Sequence, residues 1–346
     1  MRPQYMRRHE GTIICTLCSH NCHIDMDRTG ICGVRANREG APHLPHYAAV
    51  SALHVDPIEK KPLYHLQPGA SVLSVGLLGC NFRCPFCQNY AISQSTRAAT
   101  HQVLPTDLAP MAVRSQAQGV AYTYNEPTIH FEYVMEAAGL VREAGLANVL
   151  VTNGHLNPRP ARELLGLMDG VNVDLKSFSH EFYRDELGGS LDAVTAFIRI
   201  AAELTHVEVT TLLIPGRNDS DEEIDAISRF ISSIDESIPM HLSAYHPTYR
   251  YTIRATTAQA IDRARSIARR RLRYVFAGNV AGDSDTRCHG CGNVLVHRSG
   301  YATSVTGIRD DLCADCGEAS PIRWFGFPDE PGRGGSGHPG NRRSDA

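Results

Sequence analysis

No part of this 346-residue chain holds the run of about 18 apolar residues that a helix needs to cross a bilayer, which argues against a membrane-spanning protein. The opening MRPQYMRRHEGTIIC is basic but lacks the apolar core of a secretory signal, so the protein is expected in the cytoplasm. Strong charge of either sign is also missing: 34 Lys and Arg against 37 Asp and Glu leave a formal −3. There is thus no overall basic field to draw nucleic acid, and nucleic-acid binding is unsupported, although a basic patch on one folded face would escape such a count. No internal repeat is visible beyond an alternation of strand and helix patterns. With 42% apolar residues the chain can bury a full core and is no disordered scaffold.

What the chain does have is cysteine. A reducing compartment keeps thiols free, and their usual use there is metal binding or catalysis. All eleven fall into three groups: Cys15, Cys18, Cys22 and Cys32; Cys80, Cys84 and Cys87; Cys288, Cys291, Cys313 and Cys316. Four ligands close a metal site, whereas three leave a position for something exchangeable.

From residue 71 to 277 short apolar runs alternate with amphipathic stretches. Strands are expected at Val72–Leu78, Val120–Tyr124, Asn148–Thr152, Val171–Leu175, Val207–Leu213, His241–Ala244 and Tyr274–Phe276. Between them the helical period predicts Ile129–Glu143, Arg159–Leu167, Leu191–Leu204, Asp221–Ser233 and Thr257–Arg271, with Gly145 as a stop and Ser220 as an N-cap. Such alternation implies βαβ units and an α/β fold with a parallel sheet, doubly wound or rolled into a full or partial barrel, where chemistry gathers at the carboxyl ends of the strands. Asn125 and Glu126, Asn153 and Gly154, Asp174 and Lys176, and Tyr245 and His246 all fall there.

The loop GCNFRCPFCQN (79–89) follows the first expected strand. Three thiolates so closely spaced can bind three irons of a cubane and leave the fourth iron open. S-adenosylmethionine (SAM) can fill that place through its amino and carboxylate groups, bringing its sulfonium within reach of an electron. A zinc knuckle completed by His101, or three buried structural thiols, is the plainer reading of the same residues.

The two CxxCG knuckles at Cys288–Gly292 and Cys313–Gly317 are expected to bind structural zinc, with a single rubredoxin-like iron as the alternative. The first group is less decided: zinc, or an auxiliary [4Fe–4S] cluster that relays electrons, with His20 and His23 as substitute ligands. His43, His46, His54 and His65 fall in a linker and are expected to be solvated or packed.

CxxxCxxC with an aromatic before its last cysteine resembles the radical SAM enzymes. With Tyr-Asn-Glu-Pro (124–127), Thr-Asn-Gly (152–154), Asp-Leu-Lys (174–176), Pro-Gly-Arg-Asn-Asp (215–219) and Tyr-His-Pro (245–247), residues 71–277 are similar to the pyruvate formate-lyase activating enzymes. Cys18-Ser-His-Asn-Cys22, Gly30-Ile-Cys-Gly-Val-Arg35, Gly278-Asn-Val and the terminal knuckles resemble the radical SAM component of the AmmeMemoRadiSam system. The resemblance implies a partial (β/α)6 barrel over 71–277, after an N-terminal Cys-rich segment and linker (1–70) and before a zinc-ribbon-like module (278–327) and a disordered tail (328–346).

It further implies reductive cleavage of SAM at a [4Fe–4S] cluster on Cys80, Cys84 and Cys87 to a 5′-deoxyadenosyl radical. Asn125 and Glu126 match the segment that binds the SAM amino group, and Asp174 and Lys176 one near its carboxylate and ribose. His246 matches a position on the adenosine side, the Phe86 backbone is expected against adenine, and Asn153 is a candidate contact. The implied partners are a low-potential donor of flavodoxin or ferredoxin type, a protein or other macromolecular substrate, and the system's companion proteins. Two departures stand out: Tyr124-Asn125 replaces two glycines, and Val151 replaces an acid, which leaves a monovalent-cation site without its ligand. A competing reading makes all three cysteine groups structural and the protein a metal-binding adaptor or nucleic-acid-binding module; it predicts zinc without labile iron and no SAM binding.

Overall fold

The computed structural model describes residues 3–280, 282 and 284–325; the tail expected at 328–346 lies outside them. Seven parallel strands form its centre: β1 (Ser71–Gly76), β2 (Gly119–Tyr122), β3 (Ala147–Thr152), β4 (Gly170–Asp174), β5 (His206–Leu213), β6 (Met240–Ala244) and β7 (Val275–Gly278). They pair in sequence order. Since the order never doubles back and such crossovers share one hand, the intervening helices stack on one face of an open, barrel-like sheet. Those helices are α1 (Pro105–Arg114), α2 (Phe131–Glu143), α3 (Pro158–Leu165), α4 (Leu191–Leu204), α5 (Asp221–Ser232) and α6 (Ala258–Ala268). Six β/α units and a closing strand are thus the architecture that the resemblance implied. Among the described residues no helix is long and apolar enough to cross a membrane.

Packing holds the helices more than propensity does, because isolated helices of this length are marginal in water. α4 buries Leu191, Val194, Phe197, Ile198 and Ala201 along one stripe, and each large apolar side chain so buried contributes about 1.5–3 kcal/mol. The expected caps form: Ser220 Oγ accepts from the Glu223 N–H at 3.2 Å, and Gly145 adopts φ 73° after α2. The helix expected from Ile129 starts instead as a 3-10 turn, Pro127–His130, before α2. Residues 52–57, in the stretch expected to be a linker, form an antiparallel edge strand on β1.

The flanking segments sit at opposite ends of the sheet. The N-terminal hairpins (Met6–His9 with Thr12–Cys15, then His23–Ile24) rest on the carboxyl ends of the strands, where Asn157 Nδ2 donates to the carbonyls of Thr16 and Cys18. The C-terminal module, a three-stranded sheet around Cys288, Leu295, Val296, Cys313 and Ile322, covers the amino ends. There the Arg323 N–H donates to His65 O, and the Arg298 guanidinium lies 4.3 Å from the Tyr64 ring centre.

Beneath this module Glu208 of β5 is fully buried and accepts from Tyr64 N (3.0 Å), His65 N (2.7 Å), His206 Nε2 (2.9 Å) and His241 Nε2 (2.6 Å). Burial opposes its charge, but these donors outweigh it and hold the carboxyl well below its usual range. Burial also pushes the pKa of His65 down to about 3, and does the same to His130 (about 4) and His155 (about 3). Each of these depressed values contributes stability above the unfolded pKa of 6.5 that is lost as pH falls toward the folded value. Below about pH 6.5 stability is therefore expected to drop by up to about 1.4 kcal/mol per pH unit for each such histidine. Urea unfolding from pH 7.5 to 5.5 measures this. His65→Gln should flatten the profile by about one proton; identical profiles would mean that His65 is not held neutral.

Candidate active site at the carboxyl ends of the strands

The loop that leaves β1 carries Cys80, Cys84 and Cys87, and the neighbouring strand ends hold it in place. Gly79 turns the chain with φ 80°, and a Cβ there would lie 2.4 Å from the Cys32 carbonyl oxygen, so only glycine lets the N-terminal segment approach so closely. Asn125, after β2, accepts from Leu77 N (3.0 Å) and donates to Leu78 O (3.2 Å) and Gly79 O (3.0 Å). The His130 Nε2–H donates to Leu78 O at 2.7 Å. Farther along, the Arg83 N–H donates to Leu187 O and the Arg250 N–H to Pro85 O. Phe82 is seated against Gly189, where any Cβ would meet its ring at 2.2 Å.

Glu126 is buried beside Cys80. Its Oε1 accepts from Thr128 N (3.1 Å), Thr128 Oγ1 (2.7 Å) and Thr152 Oγ1 (2.7 Å), and its Oε2 from Asn153 N (2.8 Å). Burial raises its pKa while these donors oppose the shift. Oε2, with a single donor, keeps an acceptor position. Asn153 donates from Nδ2 to Asn81 Oδ1 (2.8 Å) and approaches the Cys80 sulfur (3.7 Å), and its Oδ1 accepts from the His155 N–H (2.9 Å). It therefore does more than turn the chain out of β3.

Burial raises Cys80 well above the ordinary thiol range, and the Glu126 carboxylate adds to this. Cys84 is pushed up to about 12 by burial against the opposing pull of Lys176. The Lys176 ammonium pairs with Asp174 at 2.8 Å. Burial works against its charge, but Asp174 and Cys84 outweigh it and raise its pKa. The Cys87 sulfur lies 3.0 Å from Ser93 Oγ.

Of the remaining expected residues, Phe86 is buried between Phe182 (ring centroids 6.3 Å apart) and Tyr251 (5.7 Å), while His246 is exposed past β6. The Asn125 amide is occupied by loop backbone, so it positions the loop. Tyr124 adopts φ 71°, a left-handed conformation natural to the glycine it replaces and rare for a bulky residue. Its hydroxyl donates to Asp56 Oδ2 at 2.5 Å, and Lys61 Nζ lies 4.7 Å from its ring centre. Asp56, which also accepts from Lys60 and Lys61, belongs to the edge strand. Asn81 and Thr152 lie inside the motifs and Thr128 and His130 just after one, without an assigned role, while Asp56 carried no sequence signal.

The N-terminal cysteines Cys15, Cys18, Cys22 and Cys32 line a cavity next to this loop. Those of the C-terminal module gather at the far end of the sheet, all four sulfurs within 4.8 Å of one another.

The model of the radical SAM superfamily matches residues 75–231. An uncharacterized protein, MJ0808, of Methanocaldococcus jannaschii is 33% identical over 328 residues, which span 92% of this chain and 98% of the relative. The pyruvate formate-lyase-activating enzyme of Staphylococcus epidermidis is 23% identical over 180 residues, 49% of this chain and 72% of that enzyme. Among solved structures, a domain of pyruvate-formate lyase-activating enzyme from Bacteroides vulgatus superimposes with a TM-score of 0.43 at 18% identity, covering 47% of this chain and all of that one.

Asn125→Ala leaves Leu77 N, Leu78 O and Gly79 O without their partner, at about 1–3 kcal/mol for each buried group that finds no water. A lower urea midpoint is expected, together with at least tenfold faster loss of iron from the anaerobic protein during dialysis. Wild-type stability and iron retention would place the support of the loop elsewhere.

Proposed function

Because the chain belongs to the radical SAM superfamily, we propose that Cys80, Cys84 and Cys87 hold its [4Fe–4S] cluster and that Glu126, Asn153, Asp174 and Lys176 receive SAM. The protein is a radical SAM enzyme; when bound, the cluster and SAM supply reductive cleavage of the sulfonium to methionine and a 5′-deoxyadenosyl radical. The observation that carries the assignment is three thiols on one braced loop, set against Glu126 and Lys176. Their sulfurs do not form a group within 4.8 Å, as a single ion would require, so a larger group fits them better.

The chain's own residues then divide the work. Glu126 Oε2 offers its remaining acceptor position to an ammonium, with its carboxylate fixed by four donors. Lys176 brings a positive charge suited to a carboxylate, and Asp174 orients it and offers an acceptor to a ribose hydroxyl. Phe86, clamped by Phe182 and Tyr251, supports a loop backbone against which a purine can lie. Asn153 donates toward the Cys80 sulfur, and hydrogen bonding to sulfur tunes cluster potential.

A macromolecular substrate of the AmmeMemoRadiSam type, acting with that system's companion proteins, is the reading the motifs favour. The exposed Tyr90, stacked 4.6 Å from Tyr249 at the mouth, suits a large surface better than a buried metabolite. A flavodoxin or ferredoxin supplies the electron.

Zinc is the ion proposed for Cys288, Cys291, Cys313 and Cys316. Cys288 and Cys316 sulfurs are 3.6 Å apart, and those of Cys291 and Cys313 3.7 Å. A tetrahedron with Zn–S bonds of about 2.3 Å has an edge of about 3.8 Å. The N–H groups of Cys316 and Asp315 lower the pKa of the Cys313 thiol.

Reduced, anaerobically reconstituted protein should release 5′-deoxyadenosine and methionine in equal amounts, and Cys84→Ala should release none. Lys176→Met should keep the cluster's absorbance but weaken SAM binding about tenfold or more, the value of one lost charge-assisted hydrogen bond. No 5′-deoxyadenosine from strongly reduced wild type would end the reading. For the terminal module, metal analysis should find zinc that Cys291→Ala loses, with faster amide exchange confined to residues 286–322. Unchanged zinc in that variant would refute the assignment.

A further inference from the structure

The reaction proposed above makes no use of Cys15, Cys18, Cys22 and Cys32. The four line one cavity together with Arg35 and Ile129. Cys15 and Cys18 are buried, and Cys22 and Cys32 partly so. The buried Arg35 guanidinium stands beside Cys15 and Cys32, fixed by two 2.8 Å bonds to Glu132. The cavity thus gathers four sulfurs and one guanidinium.

Two spacings of sulfur occur among the described residues. Cys288, Cys291, Cys313 and Cys316 draw together within 4.8 Å, as ligands of one ion do. The N-terminal four face a common space but form no such group, although they are as enclosed and as rich in cysteine. Sulfurs that each bind a different iron of a cubane must stand farther apart than sulfurs sharing one ion. Of the two histidines, His23 is exposed, and His20, which lines the cavity, donates its Nε2–H to Asn81 O at 2.7 Å.

We infer that Cys15, Cys18, Cys22 and Cys32 hold a second [4Fe–4S] cluster, each iron capped by protein, rather than zinc, the other reading the sequence left open. With no open iron it has no place for SAM; the chemistry left to it is to hold and release one electron. It adjoins the three-cysteine loop, for the Cys32 carbonyl packs on Gly79 and His20 bonds the backbone of Asn81. Its existence does not depend on the function proposed for that loop.

Iron, sulfide and zinc analysis with EPR of the anaerobically purified full chain tests this. Wild type should hold about eight iron and eight sulfide, two cubanes' worth, besides the zinc of the terminal module. The triple variant Cys80→Ala, Cys84→Ala, Cys87→Ala should keep half of its iron and give a reduced signal that SAM leaves unchanged. The pair Cys15→Ala, Cys18→Ala should lose the other half while SAM still shifts the remaining signal. Should that pair not fold, wild type and the triple variant carry the test alone. A triple variant without iron, or a wild type with half the iron and a second zinc, overturns the inference. Full iron in the triple variant would count against the three-cysteine site and for the N-terminal one.

Discussion

A thiol withdrawn from water resists ionisation, and this protein withdraws several at one end of its sheet. Cys80, Cys84, Cys18 and Cys32 all have their pKa values raised by burial, and Glu126 beside Cys80 makes a thiolate there costlier still. Only a cationic partner can bring such sulfurs to their charged form together. Lys176 lowers Cys84, and Arg35 lowers Cys32, but one side-chain cation against each group of three or four sulfurs is too little. The arrangement is therefore consistent with metal as an integral part of the fold at that end, where binding free energy becomes folding free energy.

That requirement explains how the surrounding loop is built. A ligand loop must be rigid before the metal arrives, or ordering it would consume the binding energy. Asn125 and His130 fix Leu77–Gly79 from β2 and the turn after it, while Asn153 ties Asn81 to the end of β3. Tyr124 pays in backbone strain for the turn that aims Asn125 inward, and such strain persists only where the surroundings over-determine it. Here Asp56 and Lys61 grip the side chain from the edge strand. The two glycines absent from Tyr124-Asn125 are thus replaced by a conformation held from outside.

Much of this could be read before any coordinates. Cysteine spacing separated three groups, strand–helix alternation located the seven parallel strands to within a few residues, and Ser220 announced α5. The losses have physical causes. α1 went unseen because Pro110 interrupts its pattern, and residues 52–57 because His54 and Asp56 do not read as strand; pairing with β1 overrides propensity there. The polar strand ends were visible as residue types, but not their partners. Asn125 serves backbone atoms 46–48 positions away, and Arg35 meets a carboxylate 97 positions away. Such pairings exist only once the sheet has brought the segments together.

The two ends of the sheet also differ in what they can tolerate. At the amino ends Glu208, Glu59, Arg298, His65 and His241 are all buried, a set of polar groups whose stability depends on the hydrogen bonds it makes staying in register. A lid over them has to be stiff, and a four-sulfur tetrahedron supplies stiffness from few residues. An ion that exchanges no electrons suits that place, since a change of charge there would disturb the Glu208 network. At the carboxyl ends the opposite holds: cavity, open acceptor on Glu126 and wider sulfur spacing all favour groups whose charge can change. The cysteines at the foot of the barrel draw four sulfurs within 4.8 Å, those at its mouth form no such group among the described residues, and the two uses proposed for them, rigidity and reactivity, follow that difference.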